Sequence, residues 1–316
     1  MLEVNYVSAP QASLRDQVAT IYNRIGNVKN GERVEVLERE KRFARVRTAG
    51  GIEGWIEQRY LVDQQTYDAI QKLTQENLGD PVQAPGVLRN ESNLHLTPGR
   101  ETEHLYQLLA GAKVSVLKRA TAEKQPGAIS GPDRPSGKTG KGAAGPVLED
   151  WWLVRDAGNR VGWVLARMVD LDVPLDIAQY AEGQRIVAFF VLNQVQDSGK
   201  DGSGKNVSQY LCAITEPHDG LPYDYDQIRV FTWNVRKHRY ETAYREHGLH
   251  GVLPVTVKSE SFDKEGTLPV FILRVKDDSG NVSERKYKLN TPIVRRVLAP
   301  GEQKEAPRLA GKRKRH

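Results

Sequence analysis

Short stretches of alternating apolar and polar residues, separated by turns, run along most of the chain. Val34 and Val36 fall on one face of a strand predicted over 33–37, and a second strand over 43–47 ends at a Gly-Gly turn. A period of two is typical of strands that are buried on one face. Because such strands recur, the pattern predicts an all-β protein with one helical segment, at 64–78.

An internal repeat organises the first half of the chain. The segments 31–37 and 111–117 match at an offset of 80 residues. At an offset of 108, the matching segments are 43–47 with 151–155 and 54–56 with 162–164. The change of offset places 28 extra residues in the second copy. They lie within 121–149, which is rich in Gly, Pro, Ser and Lys, so we expect a flexible surface insert there.

Each copy has about 60 residues outside the insert and five or six short strands, which favours a small barrel, because closure removes exposed strand edges. The motifs that carry a family resemblance are Leu14-Arg15, G-x-V-x-x-G-x-x-V-x-V-L over 26–37, F-A-R-V-R over 43–47 and G-W-I-x-x-x-Y-L over 54–61. Through them, residues 4–63 resemble the bacterial SH3 domain family. Residues 87–172 resemble it more loosely, because His95 replaces the arginine and Met168-Val169 replaces Tyr-Leu.

The second half of the chain is predicted to be β-rich as well. Strand-like runs are predicted at 185–195, 207–215, 227–234, 238–245, 252–258, 268–276, 281–289 and 292–298. Turn signals join several of them as hairpins, and no helical segment is predicted among them. An antiparallel β-sandwich or barrel of about 120 residues is therefore expected.

These patterns predict two small SH3-like barrels in tandem, followed by the all-β C-terminal domain. The predicted divisions are barrel one at 1–63, a helical and Pro-containing linker at 64–86, barrel two at 87–173 with its insert at 121–149, the C-terminal domain at 175–299, and a disordered basic tail at 300–316.

Charge changes this picture only at the tail. The chain has a net charge of +6, and residues 302–316 contribute six basic and two acidic side chains. The remainder is close to neutral, so we expect no specific nucleic-acid partner, although the tail could attach to anionic surfaces. The sequence has no apolar run long enough for a transmembrane segment and no visible signal peptide. Its single cysteine, Cys212, is predicted to be buried.

Candidate chemistry is sparse. Residues 131–139 are one residue too long for a phosphate-binding loop, and 197–202 fit a hairpin turn better than a calcium loop. Histidines cluster over 218–250 without a recognisable set of metal ligands, and an acid–base role of His238 with Glu241 is conceivable but unsupported. The sequence therefore predicts no catalytic residue, no metal site and no cofactor.

The resemblance to bacterial SH3 domains implies binding or targeting without catalysis, commonly to peptidoglycan or to a protein or peptide ligand. Aromatic residues at the rim of a groove in each barrel are the candidate ligand contacts: Tyr22, Phe43, Tyr60, Tyr106 and Trp151. We expect a binding or scaffolding protein of the cell envelope or periplasm, with the cytoplasm as the alternative compartment. The other functions that stay open are a regulatory or hydrolytic envelope protein with its site in the C-terminal domain, and a binder of nucleic acid or anionic surfaces through its tail.

Overall fold

A computed structural model describes residues 3–124, 146–199 and 204–298. The chain divides into two compact units, the first comprising Met1–Phe189 and Ala213–Asp224 and the second comprising Phe190–Cys212 and Tyr225–His316. No helix in the described ranges is both long enough and apolar enough to cross a membrane. The predicted tail, the candidate phosphate loop and most of the predicted insert lie outside the described residues.

The first unit begins with a seven-stranded antiparallel sheet. Its strands are β1 (Glu3–Val7), β2 (Gln11–Arg15), β3 (Arg24–Lys29), β4 (Arg33–Glu40), β5 (Phe43–Thr48), β6 (Glu53–Glu57) and β7 (Leu61–Asp63). Their order across the sheet is β3-β2-β6-β5-β4-β1-β7, and a short 3₁₀ helix, Gln58–Tyr60, precedes β7. Aliphatic side chains fill the core, among them Leu14, Val34 and Ile56. The predicted alternation is confirmed in β4, and in β5 it holds from Ala44 onward, whereas Phe43 is buried together with Ala44.

After helix α1 (Gln64–Asn77), a second seven-stranded sheet follows in the same unit. Its strands are β8 (Ala84–Leu88), β9 (Ser92–His95), β10 (His104–Leu108), β11 (Lys113–Glu123), β12 (Leu148–Asp156), β13 (Val161–Leu165) and β14 (Val169–Leu171). Their order is β10-β9-β13-β12-β11-β8-β14, which is the order of the first sheet strand for strand. In neither sheet do the described residues pair the two end strands, so these sheets are open rather than the closed barrels expected.

Helix α1 packs against both sheets. Ile70 is buried in a cluster with Tyr6 of the first sheet and Leu105 of the second. Further along the helix, Leu73 packs against Leu117 and Leu153 of the second sheet. The helix predicted at 64–78 is therefore present, but it is part of a shared core rather than a spacer.

The described ends of the predicted insert are ordinary strand. Thr121 pairs with Asp150, and Glu123 pairs with Leu148, extending the hairpin of β11 and β12. The prediction of a flexible segment over all of 121–149 is therefore wrong at both ends. The hydrogen bonds between β11 and β12 satisfy the backbone groups there. Polar side chains on the solvent-facing side of these strands are compatible with that pairing.

The last sheet forms one continuous antiparallel meander. Its strands are β15 (Arg185–Asp197), β16 (Lys205–Thr215), β17 (Tyr225–Asn234), β18 (Arg239–Phe262), β19 (Gly266–Lys276), β20 (Val282–Asn290) and β21 (Ile293–Val297), in that spatial order. The antiparallel β class is confirmed, but all seven strands belong to one sheet and not to the two sheets of a sandwich. A short helix, α2 (Leu175–Ala178), precedes this sheet and was not predicted.

Strand β18 explains why seven strands replace the eight predicted. Its first half pairs with β17 and its second half with β19, so the runs predicted at 238–245 and 252–258 are one strand. Gly251 lies where the two pairings meet, and a Cβ there would be 2.1 Å from the ring of Tyr225. The glycine is therefore required for close approach of the buried tyrosine and does not mark a turn.

Candidate functional site

Each of the two sheets of the first unit contains the same kind of strand crossing. Arg15 on β2 pairs with Trp55 on β6, and His95 on β9 pairs with Trp163 on β13. The glycine before each tryptophan lies under the crossing strand: a Cβ on Gly162 would be 2.6 Å from Leu94 Cβ. The Gly-Trp dipeptides found in the sequence thus mark the position where the two strands touch.

Each crossing strand is followed by a loop of the same length. The amide of Asp16 donates to the carbonyl of Asn23 at 3.1 Å, and the amide of Leu96 donates to the carbonyl of Glu103 at 2.8 Å. In the first loop, Asn23 Nδ2 also donates to the carboxylate of Asp16 at 2.8 Å. The backbone amide of Asn23 donates to the same carboxylate at 2.9 Å, and this bond contributes most to lowering the pKa of Asp16. Both loops border a cleft.

The first cleft has a volume of about 570 Å³. Its lining residues are Arg15, Val18, Ala19, Thr20, Tyr22, Lys41, Arg42 and Phe43. The guanidinium carbon of Arg15 lies 4.1 Å from the ring centre of Tyr22 and 4.9 Å from that of Phe43. Phe43 is only 4% exposed, so it forms part of the floor, whereas Tyr22 is half-buried at the rim.

The first cleft is cationic. Arg15 Nη2 lies 3.4 Å from a carboxylate oxygen of Glu57. Lys41 and Arg42 are exposed, and neither side chain forms an ion pair with any residue that the structure describes. Among the residues that the structure describes, no acidic side chain lines this cleft. It therefore presents hydrogen-bond donors and positive charge beside aromatic rings.

The second cleft lies at the equivalent position and has a volume of about 510 Å³. Its lining residues are Glu91, Ser92, Asn93, His95, Arg100, Glu101, Trp151, Val164, Leu165 and Met168. His95 takes the place of Arg15, and Trp151 that of Phe43. The two rings meet edge to face, with centres 5.4 Å apart. Trp151 is 2% exposed, so it too is a floor residue.

The tautomer of His95 follows from its contacts. Its Nδ1 lies 3.1 Å from both the carbonyl oxygen and the hydroxyl oxygen of Thr102. The carbonyl can only accept, and the hydroxyl directs its hydrogen at the carbonyls of Thr97 and Gly99, so Nδ1 carries the hydrogen. Nε2 is then an acceptor, and within the described part of the chain it has no hydrogen-bond partner. Burial lowers the pKa of His95, and the neighbouring His104 lowers it further, while the bond to Thr102 opposes both. The neutral ring is therefore the stable form.

In the second sheet, Glu149 and Asp150 occupy the positions equivalent to Lys41 and Arg42, and both carboxylates form ion pairs with arginines. Glu149 accepts from Arg100 Nε at 2.8 Å. Asp150 is fully buried and accepts from Arg119 and Arg185, each at 2.6 Å. Burial raises the pKa of Asp150, but the hydrogen bond from Arg119 and its other bonds outweigh that and lower it. Asp150 therefore stabilises packing within the first unit and is not among the described lining residues of the second cleft.

The candidate aromatics fall into two groups. Tyr22 and Phe43 line the first cleft, and Trp151 lines the second. Tyr60 and Tyr106 line neither. Tyr60 packs on the core of the first sheet, and Tyr106 packs against the cluster that contains Ile70 of α1. The position of Tyr106 was not predictable, because its role depends on a helix that joins the two sheets.

Sequence reasoning missed most of the polar residues of the clefts. Lys41, Arg42, Glu91 and Glu101 were not candidates, because exposed charges carry no pattern of their own. The one available signal was the replacement of arginine by His95 in the repeat alignment. This substitution lies at the floor of the second cleft.

In the second unit, Asp197 accepts hydrogen bonds from His238 Nδ1 and Trp233 Nε1, both at 2.8 Å. The bond from His238 contributes most to lowering the pKa of Asp197 to about 2. Glu241 bonds to Asn234 and Lys237, so among the described residues His238 pairs with Asp197 and not with Glu241, the pairing that the sequence left conceivable but unsupported. Cys212 is buried as predicted, and burial raises its pKa to about 12, which disfavours a reactive thiolate.

Family comparisons agree with this geometry. Residues 10–62 match the bacterial SH3 domain family, which confirms the resemblance of the N-terminal region. Residues 89–170 match a different family, the GW (Gly-Tryp) dipeptide domain. Two copies of one family therefore remain a prediction, although the strand orders agree. Domains of both kinds point to a protein of the cell envelope or the extracellular space and suggest cell-wall binding.

A comparison with curated proteins gives no match. Solved structures that align with 90%, 90% and 92% of this chain include NlpC2 and NlpC1 from Trichomonas vaginalis and a NlpC/P60 family protein from Bacillus cereus. They are 13%, 12% and 11% identical, with 96%, 92% and 95% of their own chains covered. The TM-scores of 0.18, 0.18 and 0.24 are too low to support a conclusion about fold or function.

Proposed function

We propose that the chain is a non-enzymatic binding protein of the cell envelope, periplasmic in location, that attaches to peptidoglycan or a peptide ligand through its two clefts. The observation that carries this proposal is the recurrence of one cleft framework in two sheets, each cleft with an aromatic floor and a polar rim. The two family matches are of kinds associated with cell walls and support the same ligand class.

The first cleft is suited to an extended peptide that carries carboxylates. Arg15, Lys41 and Arg42 offer donors along one side, and Tyr22 offers a flat apolar contact at the rim. Rim aromatics bury a large area while few side-chain torsions are frozen, so they contribute strongly to small interfaces. Charged donors add attraction that salt weakens.

Cosedimentation of the full chain with purified peptidoglycan sacculi tests the proposal. We expect the wild-type protein to pellet. The double variant Lys41→Gln with Arg42→Gln should lower the bound fraction about threefold, because exposed charge pairs each contribute up to about 1 kcal/mol. Tyr22→Ala should lower it at least as much. Phe43 is unsuitable for alanine replacement, because removing a buried Phe costs about 3–5 kcal/mol of stability.

Arg24→Gln is the matched control, since Arg24 is exposed on β3 but does not line the cleft. It should pellet like the wild type. Removing residues 302–316 separates the alternative of attachment through the basic tail. If this truncation abolishes pelleting while the cleft variants retain it, the clefts are not the receptor and the proposal is wrong.

A further inference from the structure

The two clefts have nearly the same volume but opposite charge. Three basic side chains line the first. In the second, Glu91 and Glu101 are exposed, and neither carboxylate forms an ion pair within the described ranges. The positive charge of Arg100 is neutralised by Glu149. The second cleft therefore presents two uncompensated negative charges.

His95 independently indicates that the second cleft prefers a ligand that donates hydrogen bonds. It is 9% exposed and lines the cleft, and its Nδ1 hydrogen is donated to the Thr102 carbonyl. Its Nε2 is left as an acceptor without a protein partner in the described part of the chain. The ring is largely buried, so its Nε2 can be reached only through the cleft that it lines. A ligand in the cleft can supply that donor.

We propose that the second cleft binds a primary ammonium group at the end of an aliphatic stem, as in a basic amino-acid side chain. This inference rests on the proposed function only in taking the cleft as a ligand site. An ammonium has three donors and no acceptor, which complements the Nε2 of His95 and the carboxylates of Glu91 and Glu101. Val164 and Leu165 supply apolar wall for the methylene stem.

The pairing of the two clefts then gives the molecule a defined selectivity. The donor-rich first cleft takes acidic groups, and the acceptor-rich second cleft takes an amine. A ligand that carries both charges can engage both clefts, and a purely anionic polymer is repelled by the second.

N-acetyl-lysine N-methylamide is the probe, and N-acetyl-norleucine N-methylamide is its control, because it has nearly the same stem without the charge. The indole signal of Trp151 in the ¹⁵N-labelled full chain, assigned with Trp151→Phe, reports binding. We expect the lysine derivative to shift this signal and the norleucine derivative to leave it unchanged. Triglycine amide distinguishes the source of the amine: binding at least as strong as that of the lysine derivative would assign the site to a peptide N-terminus.

The double variant Glu91→Gln with Glu101→Gln should weaken binding of the lysine derivative about tenfold, because two favourable charge interactions are lost. Glu103→Gln is the matched control, since Glu103 is exposed on the same loop but does not line the cleft. Equal shifts from lysine and norleucine derivatives, or unchanged affinity in the double variant, would overturn the proposal. Amine binding with no sacculus pelleting would refute the proposed function alone, and pelleting without amine binding would refute this inference alone.

Discussion

The two clefts of the first unit show which parts of a small β-domain are fixed and which are free to change. Their sheets have the same strand order, the same Gly-Trp crossing and loops of equal length. Their linings have opposite charge. Lys41 and Arg42 correspond in sequence to Glu149 and Asp150, immediately before the aromatic floor residue of each cleft. The backbone framework thus sets where a ligand lies, and the side chains set which ligand it is.

The comparison also shows that equivalent positions can differ in burial. Arg42 is exposed at the rim of the first cleft, whereas Asp150 is fully buried between Arg119 and Arg185. A charge in water can be changed at little cost, but a buried charge holds its partners in place. Ligand selectivity in the second cleft therefore depends on Glu91 and Glu101 and not on the acidic pair in β12.

The largest effect, a loss of stability, is expected when the buried carboxylate of Asp150 is compared with the exposed Arg42. Asp150→Asn should destabilise the protein by about 3 kcal/mol, because Arg119 and Arg185 lose their shared counter-charge inside the first unit. The equivalent Arg42→Gln should change stability by no more than about 0.5 kcal/mol. Urea unfolding followed by tryptophan fluorescence measures both. Equal effects of the two substitutions would show that the buried network does not hold the second sheet together.

A smaller loss of stability is expected from substitutions of the glycines at the two strand crossings. Gly162→Ala should cost about 2–3 kcal/mol, because the new Cβ would lie 2.6 Å from Leu94 Cβ and 3.1 Å from Leu94 Cα. Gly54→Ala should cost about 1–2 kcal/mol, since one of its contacts at 2.9 Å is the flexible end of Ile25.

Gly79→Ala is the control for both substitutions, because a Cβ there meets nothing within 4 Å. Its unfolding midpoint should match that of the wild type. If Gly162→Ala unfolds at the same urea concentration as Gly79→Ala, the close crossing of β9 and β13 is not a constraint on the fold.

The strands and the Gly-Trp crossings were predictable because they depend on residues that are close in sequence. The alternation around Val34 and the Gly-Trp dipeptides depend on neighbours in sequence, and they located the strands and the SH3-like class correctly. The shared core at Ile70 and the single meander through β18 depend on pairings between distant segments, which periodicity does not encode. The cleft chemistry was the least predictable part. Whether an acidic residue is free like Glu101 or buried like Asp150 is decided by tertiary contacts.

The smallest predicted effect is a pH dependence found in one cleft only. Because burial lowers the pKa of His95, its ring is neutral at pH 7 and protonates as the pH falls below 6.5, through the lowered value. Protonation converts Nε2 from an acceptor to a donor and adds a positive charge beside His104, which the carboxylate of Glu101 partly offsets.

Affinity for N-acetyl-lysine N-methylamide should therefore be constant near pH 7 and fall as the pH drops below 6.5 through the lowered pKa of His95. The same shift has a consequence for stability: because the folded state resists protonation, the contribution of His95 is complete above the unfolded pKa near 6.5 and is lost as the pH falls below it. His95→Gln keeps an acceptor that does not titrate, so its affinity should not vary over this pH range. No histidine is found among the described lining residues of the first cleft, and carboxylate binding there should be unchanged. If the wild-type affinity, from titration of the Trp151 indole signal, stays constant while the ring signals of His95 show that it protonates, Nε2 of His95 does not accept from the ligand, and the amine must be held by the carboxylates alone.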